Sequence, residues 1–265
     1  MTMTANGEKT TGLQVELIPA LSDNYIFLLH EPTSGVTAVV DPADAGAVEK
    51  RLKERGLALT HILNTHHHPD HVGGNRALKA RHGCTIVGPR ADRERIPGID
   101  VEVGDGDTVA LGHAEATVFD VPGHTRGHIA YWFREAKAAF VGDTLFAMGC
   151  GRLFEGTPAQ MWASLQKLMA MPDDTAIYCA HEYTLSNAKF ALSVEPDNAI
   201  LRSRAAEVEA ARARGVPTVP TTMGLEKATN PFLRPASPDL QKTLGLPGAD
   251  LVAVFAETRA RKDAF

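Results

Sequence analysis

Eleven histidines are spread unevenly along this chain: six fall between His61 and His82, and four of those lie within His66 to His71. Imidazole titrates near neutrality and is the commonest side-chain metal ligand, so four together point to chemistry rather than structure. They sit in Thr65-His66-His67-His68-Pro69-Asp70-His71, directly after the apolar stretch Leu59 to Leu63. Side chains alternate along an extended segment, so His66 and His68 face one way and His67 the other. Pro69 ends the strand and favours a turn into a helix whose first turn carries Asp70 and His71. Two imidazoles from the strand end and a carboxylate–imidazole pair from the helix start can then converge on one point. Neutral imidazole and carboxylate suit Zn²⁺, Fe or Mn²⁺.

Three further groups stand at or just beyond strand-like stretches: His124 in Val121 to Thr125, Asp143 in Phe140 to Thr144, and His181 in Cys179 to Glu182. Loops at one edge of a rigid sheet are where sites are normally assembled. Five histidines and two carboxylates are too many donors for one tetrahedral ion. A carboxylate shared between two ions resolves the count, so the expected cofactor is a pair of divalent metal ions, zinc by preference, with iron or manganese as alternatives.

The elements that must position these groups follow from pattern. Val15 to Ile18, Tyr25 to Leu29, Val36 to Val40 and Leu59 to Leu63 read as strands, with Asp44 capping a helix that Gly56 stops. A helix is expected over Val72 to Arg81, then strands at Thr85 to Val87, Thr117 to Val121, Ile129 to Phe133 and Ala138 to Val141. Helix Pro158 to Met169 and strand Ala176 to Cys179 follow. Beyond His181 the character changes: Leu185 to Leu192, Asn198 to Arg214 and Asp250 to Arg261 read as helices, and no strand is legible. The order predicts an α+β chain of sheet layers covered by helices over residues 1–182, then a small helical domain over 183–265.

Composition excludes several function classes. With 27 Lys and Arg against 32 Asp and Glu, the net charge is −5, unlike a general nucleic-acid binder. No apolar run approaches the ~20 residues that span a bilayer, and the polar opening MTMTANGEKTTG offers no secretory signal. Three widely spaced cysteines argue against a disulfide framework. The expectation is a soluble, cytoplasmic, monomeric protein acting on a small molecule.

The motif His66-x-His68-x-Asp70-His71, with His124, Asp143 and His181 in that order, resembles the metallo-β-lactamase superfamily. Phe146 to Thr157, Ala180 to Thr184, Asn230 to Arg234 and Arg259-x-x-Lys262-Asp263 narrow the resemblance to its glyoxalase II branch, the hydroxyacylglutathione hydrolases. The resemblance implies an αββα sandwich followed by a helical domain. It implies His66, His68 and His124 on one metal, Asp70, His71 and His181 on the other, and Asp143 bridging both. It implies hydrolysis of S-D-lactoylglutathione to D-lactate and glutathione, the second step of methylglyoxal detoxification, by a hydroxide held between the metals, with Asp70 and Asp143 as the carboxylates of the reacting centre. Arg152, Phe154, Tyr183, Arg259 and Lys262 are implied as substrate-binding groups, although some family members carry Tyr where Phe154 stands.

Rivals within the superfamily are weighed by motif. The commonest dizinc β-lactamases carry Cys at the place of Asp143, and a flavodiiron protein favours Glu at the place of His68. A glutathione persulfide dioxygenase, a mononuclear iron oxidoreductase, is the main alternative, but typically lacks the RxxKD helical region. Elsewhere, His128 reads either as a support to the metal site or as a structural residue, Gly73-Gly74 as a close-approach site, and Arg202, Arg204, Arg212 and Arg214 as a solvated helix face.

Overall fold

The computed structural model describes residues 12–265; the polar leader up to Thr11 lies outside them. β1 (Gln14–Ala20), β2 (Asn24–Glu31), β3 (Val36–Val40), β4 (His61–Leu63), β5 (Thr85–Pro89) and β6 (Val101–Val103) form one sheet in chain order. The second sheet runs β14 (Thr221–Thr222), β13 (Ala176–Cys179), β10 (Ala138–Gly142), β9 (Ile129–Phe133), β8 (Ala114–Asp120) and β7 (Thr108–Leu111). A small hairpin, β11 (Leu145–Phe146) and β12 (Gly149–Cys150), leaves the end of β10.

Alternation along β2 shows why two layers form. Phe27 and Leu29 enter the core between the sheets with Val118, Tyr131 and Phe140. Ile26 and Leu28 point to the other face, onto Val48 and Leu52 of α1 (Ala45–Arg55) and Leu78 of α3 (Asn75–His82). On the far side Met161, Leu165 and Leu168 of α4 (Pro158–Met169) cover the second sheet. The result is helix, sheet, sheet, helix. α4 starts as the sequence requires, with Thr157 and Gln160 forming a reciprocal cap behind Pro158.

The remaining helices are α5 (Thr184–Val194), α6 (Ala199–Ala213), α7 (Met223–Thr229), α8 (Pro238–Leu244) and α9 (Leu251–Asp263). Among the described residues no helix is long and apolar enough to cross a membrane.

Four expectations change. The helix expected over Val72 to Arg81 is two pieces, α2 (Pro69–Val72) and α3, broken at Gly73-Gly74. A Cβ on Gly73 would lie 2.7 Å from the Ala43 carbonyl oxygen, and one on Gly74 would lie 2.7 Å from that of Pro42. Gly74 donates its N–H to the Pro42 carbonyl at 2.8 Å, so the chain presses against the β3–α1 connection and cannot continue a straight helix there. Strands β6 and β7 are added because sheet pairing captures segments of three and four residues, too short to declare themselves. Beyond His181 one strand does occur, since Thr221 and Thr222 pair with Ile177 and Ala176 at the edge of the second sheet. Arg204 is 6% exposed and inside the helical region, not on a solvated face, whereas Arg202 and Arg214 are exposed.

Candidate dinuclear metal centre

The ends of β4, β8, β10 and β13 open on one edge of the sandwich, and each delivers donors there. After β4, Asn64 and Thr65 lead to His66; Tyr131 of the opposite sheet donates its hydroxyl to the Asn64 carbonyl at 2.9 Å, fixing the exit. β10 ends on Gly142 at φ +50°, where a Cβ would lie 2.4 Å from Thr65 Oγ1; glycine there lets Asp143 turn into the site. His181 follows β13 and pairs by a backbone bridge with Asn24 of β2.

The seven side chains read from the sequence come together in two groups. His66 Nε2 and His124 Nε2 each stand 3.1 Å from His68 Nδ1. Tetrahedral nitrogens at the usual zinc distance are separated by ~3.3 Å, so this triangle has the dimensions of one metal's ligand face. Asp70 Oδ2 stands 3.6 Å from His71 Nε2 and 3.5 Å from His181 Nε2, forming a second face. Asp143 spans them: Oδ2 is 3.4 Å from His124 Nε2, while Oδ1 is 3.5 Å from His71 Nε2 and 3.4 Å from His181 Nε2. Buried polar atoms normally have hydrogen-bond partners, yet His71 Nε2 and Asp143 Oδ1 have none. Two orphaned donor atoms aimed at one point are what a cation between them would satisfy.

Charge states agree with that use. Burial drives His66 well below its ordinary range and His124 below it; burial, with His124 alongside, brings His68 down to about 4. All three imidazoles are neutral at neutral pH, the form in which imidazole can hold a metal. Burial opposes charge on Asp143, but His71 and His181 outweigh it and keep the carboxylate ionised. Burial likewise opposes a charge on His71, and Asp143 and Asp41 overcome it, so a proton there balances the carboxylates when no cation does.

Outer partners aim these side chains, and of them the sequence singled out His128 alone. Asp41 accepts from Thr65 N–H at 2.8 Å and pairs with His71 Nδ1 at 3.0 Å, leaving Nε2 for the site. Asp23 does the same for His181 Nδ1 at 2.8 Å, and the Arg152 carbonyl for His124 Nδ1 at 2.8 Å. Asn24 donates to Asp70 Oδ2 at 3.1 Å. His128 Nε2 accepts from the Asp143 N–H at 3.0 Å, and its ring stacks on His66 at 4.6 Å. Asp41 and Asp23 follow or precede strands at the same sheet edge, a positional signal that could have flagged them. His67 turns away, as expected, and binds Asp92 and Arg95 instead, although β4 has ended at Leu63 and the chain bends at Thr65-His66.

A cavity of about 580 Å³ opens over the centre. His68, Asp70, His124, Asp143 and His181 form its floor, and Arg152, Phe154, Tyr183, Arg259 and Lys262 line its walls. Tyr183 stacks flat on His181 at 4.8 Å, and the exposed Phe154 ring stands edge-on to His124 at 5.2 Å. Lys262 Nζ reaches Ser186 Oγ at 3.1 Å. Arg259 is more committed: 5% exposed, it donates to the Cys150 carbonyl at 2.9 Å and to Asp263 at 2.8 Å.

Residues 21–181 match the family model of the metallo-β-lactamase superfamily, and residues 182–265 match that of the hydroxyacylglutathione hydrolase C-terminus. The chain is 59% identical over 253 residues to a hydroxyacylglutathione hydrolase of Methylococcus capsulatus, spanning 96% of this chain and 99% of the relative. This chain belongs to the hydroxyacylglutathione hydrolase family. A relative of the same name from Maricaulis maris is 56% identical over equal shares. Among solved structures, ETHE1 from Myxococcus xanthus is similar with a TM-score of 0.64 and 25% identity, covering 95% of this chain and 98% of that one.

Proposed function

We infer that this chain hydrolyses hydroxyacyl thioesters of glutathione, converting S-D-lactoylglutathione and water to D-lactate and glutathione. The observation that carries this reading is one cavity in which a carboxylate–imidazole donor cluster meets Arg152, Arg259 and Lys262. We assign His66, His68 and His124 to a first ion, Asp70, His71 and His181 to a second, and Asp143 to both, with zinc as the ion. Bound there, the ions would supply a nucleophile from water at neutral pH and a Lewis acid for the thioester carbonyl. Asp70 and Asp143 bring the compensating negative charge, and the outer partners Asp41, Asp23 and the Arg152 carbonyl keep each imidazole aimed. Burial pushes the Cys150 thiol up to about 11, so it stays protonated and does not compete as a nucleophile.

Glutathione carries two carboxylates, and the cavity wall is built for anions. Burial lowers the Lys262 pKa and the Arg259 and Arg152 guanidiniums lower it further; such a like-charged cluster is relieved by a bound carboxylate. A monomer in a reducing cytoplasm is part of the proposal: Cys84, Cys150 and Cys179 are all buried free thiols.

The test follows thiol release and D-lactate from S-D-lactoylglutathione with metal-loaded protein. Lys262→Ala should raise KM by about ten-fold for each 1.4 kcal/mol of binding lost, with kcat little changed because the contact is remote from the carbonyl. A small neutral thioester should show no such defect. Arg259→Ala should add a loss of stability, since its guanidinium also braces Cys150 and Asp263. Absence of thiol release, or oxygen uptake with glutathione persulfide, would overturn the reading in favour of the dioxygenase.

A further inference from the structure

His67 lies between two of the assigned ligands yet takes no part in the metal site, and the contacts it makes lead elsewhere. Its Nδ1 donates to Asp92 Oδ2 at 3.1 Å, and its Nε2 accepts from Arg95 Nη1 at 3.0 Å. Asp92 is buried and also accepts from Arg95 Nε at 3.2 Å. The same guanidinium crosses to the loop 151–156, where it forms a two-oxygen ion pair with Glu155, Nη2 to Oε2 at 3.0 Å. Glu155 Oε2 accepts in addition from the Arg126 N–H at 2.9 Å. The inner edge of this loop is stitched to the His124 segment by Phe154 N–H to the His124 carbonyl at 3.3 Å and Gly156 N–H to the Gly123 carbonyl at 3.1 Å. Its outward side chain Glu155 is the one tied to the His66–His68 strand end. The loop carries Arg152 and Phe154, two walls of the cavity.

We propose that the Arg95–Glu155 ion pair is a clasp that positions the loop 151–156 against the His66–His68 segment, so that Arg152 and Phe154 stand where the glutathionyl part of the substrate binds. The proposal rests on the glutathione-thioester reading for its ligand and on geometry for its mechanics. Arg95 and Glu155 are positioning residues, since neither lines the cavity over the metal site. The pair is planar and two-pronged, with side chains 25% and 27% exposed, so it is neither freely solvated nor buried at great cost. Arg95 and the Arg126 N–H hold the Glu155 carboxyl down at about 2, so the clasp is closed throughout the physiological range.

Glu155→Gln keeps the side chain's shape and removes its charge. With S-D-lactoylglutathione it should raise KM roughly three- to ten-fold, the range of a partly shielded ion pair, while kcat changes less than about two-fold because the inner edge of the loop keeps the Arg152 carbonyl on His124 Nδ1. Arg95→Gln should do the same, and the double variant should be no worse than the poorer single, because the two side chains act as one unit. A small neutral thioester should show unchanged KM in all three. Independently of turnover, the Phe154 and Gly156 amides should exchange with deuterium at least several-fold faster in Glu155→Gln, as a loosened local segment does, and Glu155→Asp should restore part of the protection. Unchanged KM, additive losses, or unchanged amide exchange would overturn the clasp. A wild type that releases no thiol would overturn the thioester reading instead, and the exchange measurement would still decide the clasp.

Discussion

His68→Ala is expected to lower thioester turnover by more than about a hundred-fold, because losing merely an outer partner of a ligand already costs ~10–100-fold. His68 Nδ1 is the common vertex of the triangle with His66 and His124, so its removal would deprive the ion assigned there of one of its three imidazoles. Elemental analysis should find about one ion fewer per chain than in the wild type. His67→Ala is the matched control, one residue away in the same histidine run. Its ring faces Asp92 and Arg95, so both ions should stay. Equal metal loss from the two variants would show that strand alternation does not select the ligands.

Arg204→Met is expected to cost about 3–5 kcal/mol of stability, the usual penalty for leaving a buried charge without its partner. Glu226 is fully buried, and its Oε1 receives Arg204 Nη2 and the Thr221 hydroxyl. Its Oε2 receives the Met148 N–H at 2.8 Å and Asn230 Nδ2 at 2.9 Å. Asn230 in turn donates to the Phe146 and Gly149 carbonyls. The hairpin that lines the cavity with Phe146 and Cys150 is therefore anchored on a carboxylate from α7, and that carboxylate depends on Arg204. At roughly 2–4 °C per kcal/mol for a chain of this size, the melting temperature should fall by ~10 °C. Adding Glu226→Gln removes the stranded charge and should recover part of the loss. A melting temperature within a degree or two of the wild type would mean that the pair contributes nothing net.

The sequence made the donors legible because their chemistry is dense and their settings repeat: each stands just past an apolar strand, so a common sheet edge could be inferred for His66, His124, Asp143 and His181. Alternation correctly separated His67 from His68. The Arg204 assignment failed because an arginine facing a helix bundle has the same local pattern as one facing water; only Glu226, 22 residues later, distinguishes them. Asp41 and Asp23 stand at the same sheet edge, but their roles were hidden for a related reason. Each orients an imidazole far along the chain, His71 by 30 residues and His181 by 158, and no local spacing encodes such a partner. The break at Gly73-Gly74 depended on Pro42 and Ala43 carbonyls arriving from another connection, again a long-range fact.

In the proposed centre seven side chains hold two ions about one shared carboxylate, Asp143. Metal-stripped protein titrated with Zn²⁺ tests it most directly, with bound metal and thiol release followed together. Activity should reach its plateau only as binding approaches two ions per chain, and Asp143→Ala should never reach it at any loading. Full turnover at a reproducible single ion per chain would contradict the dinuclear centre.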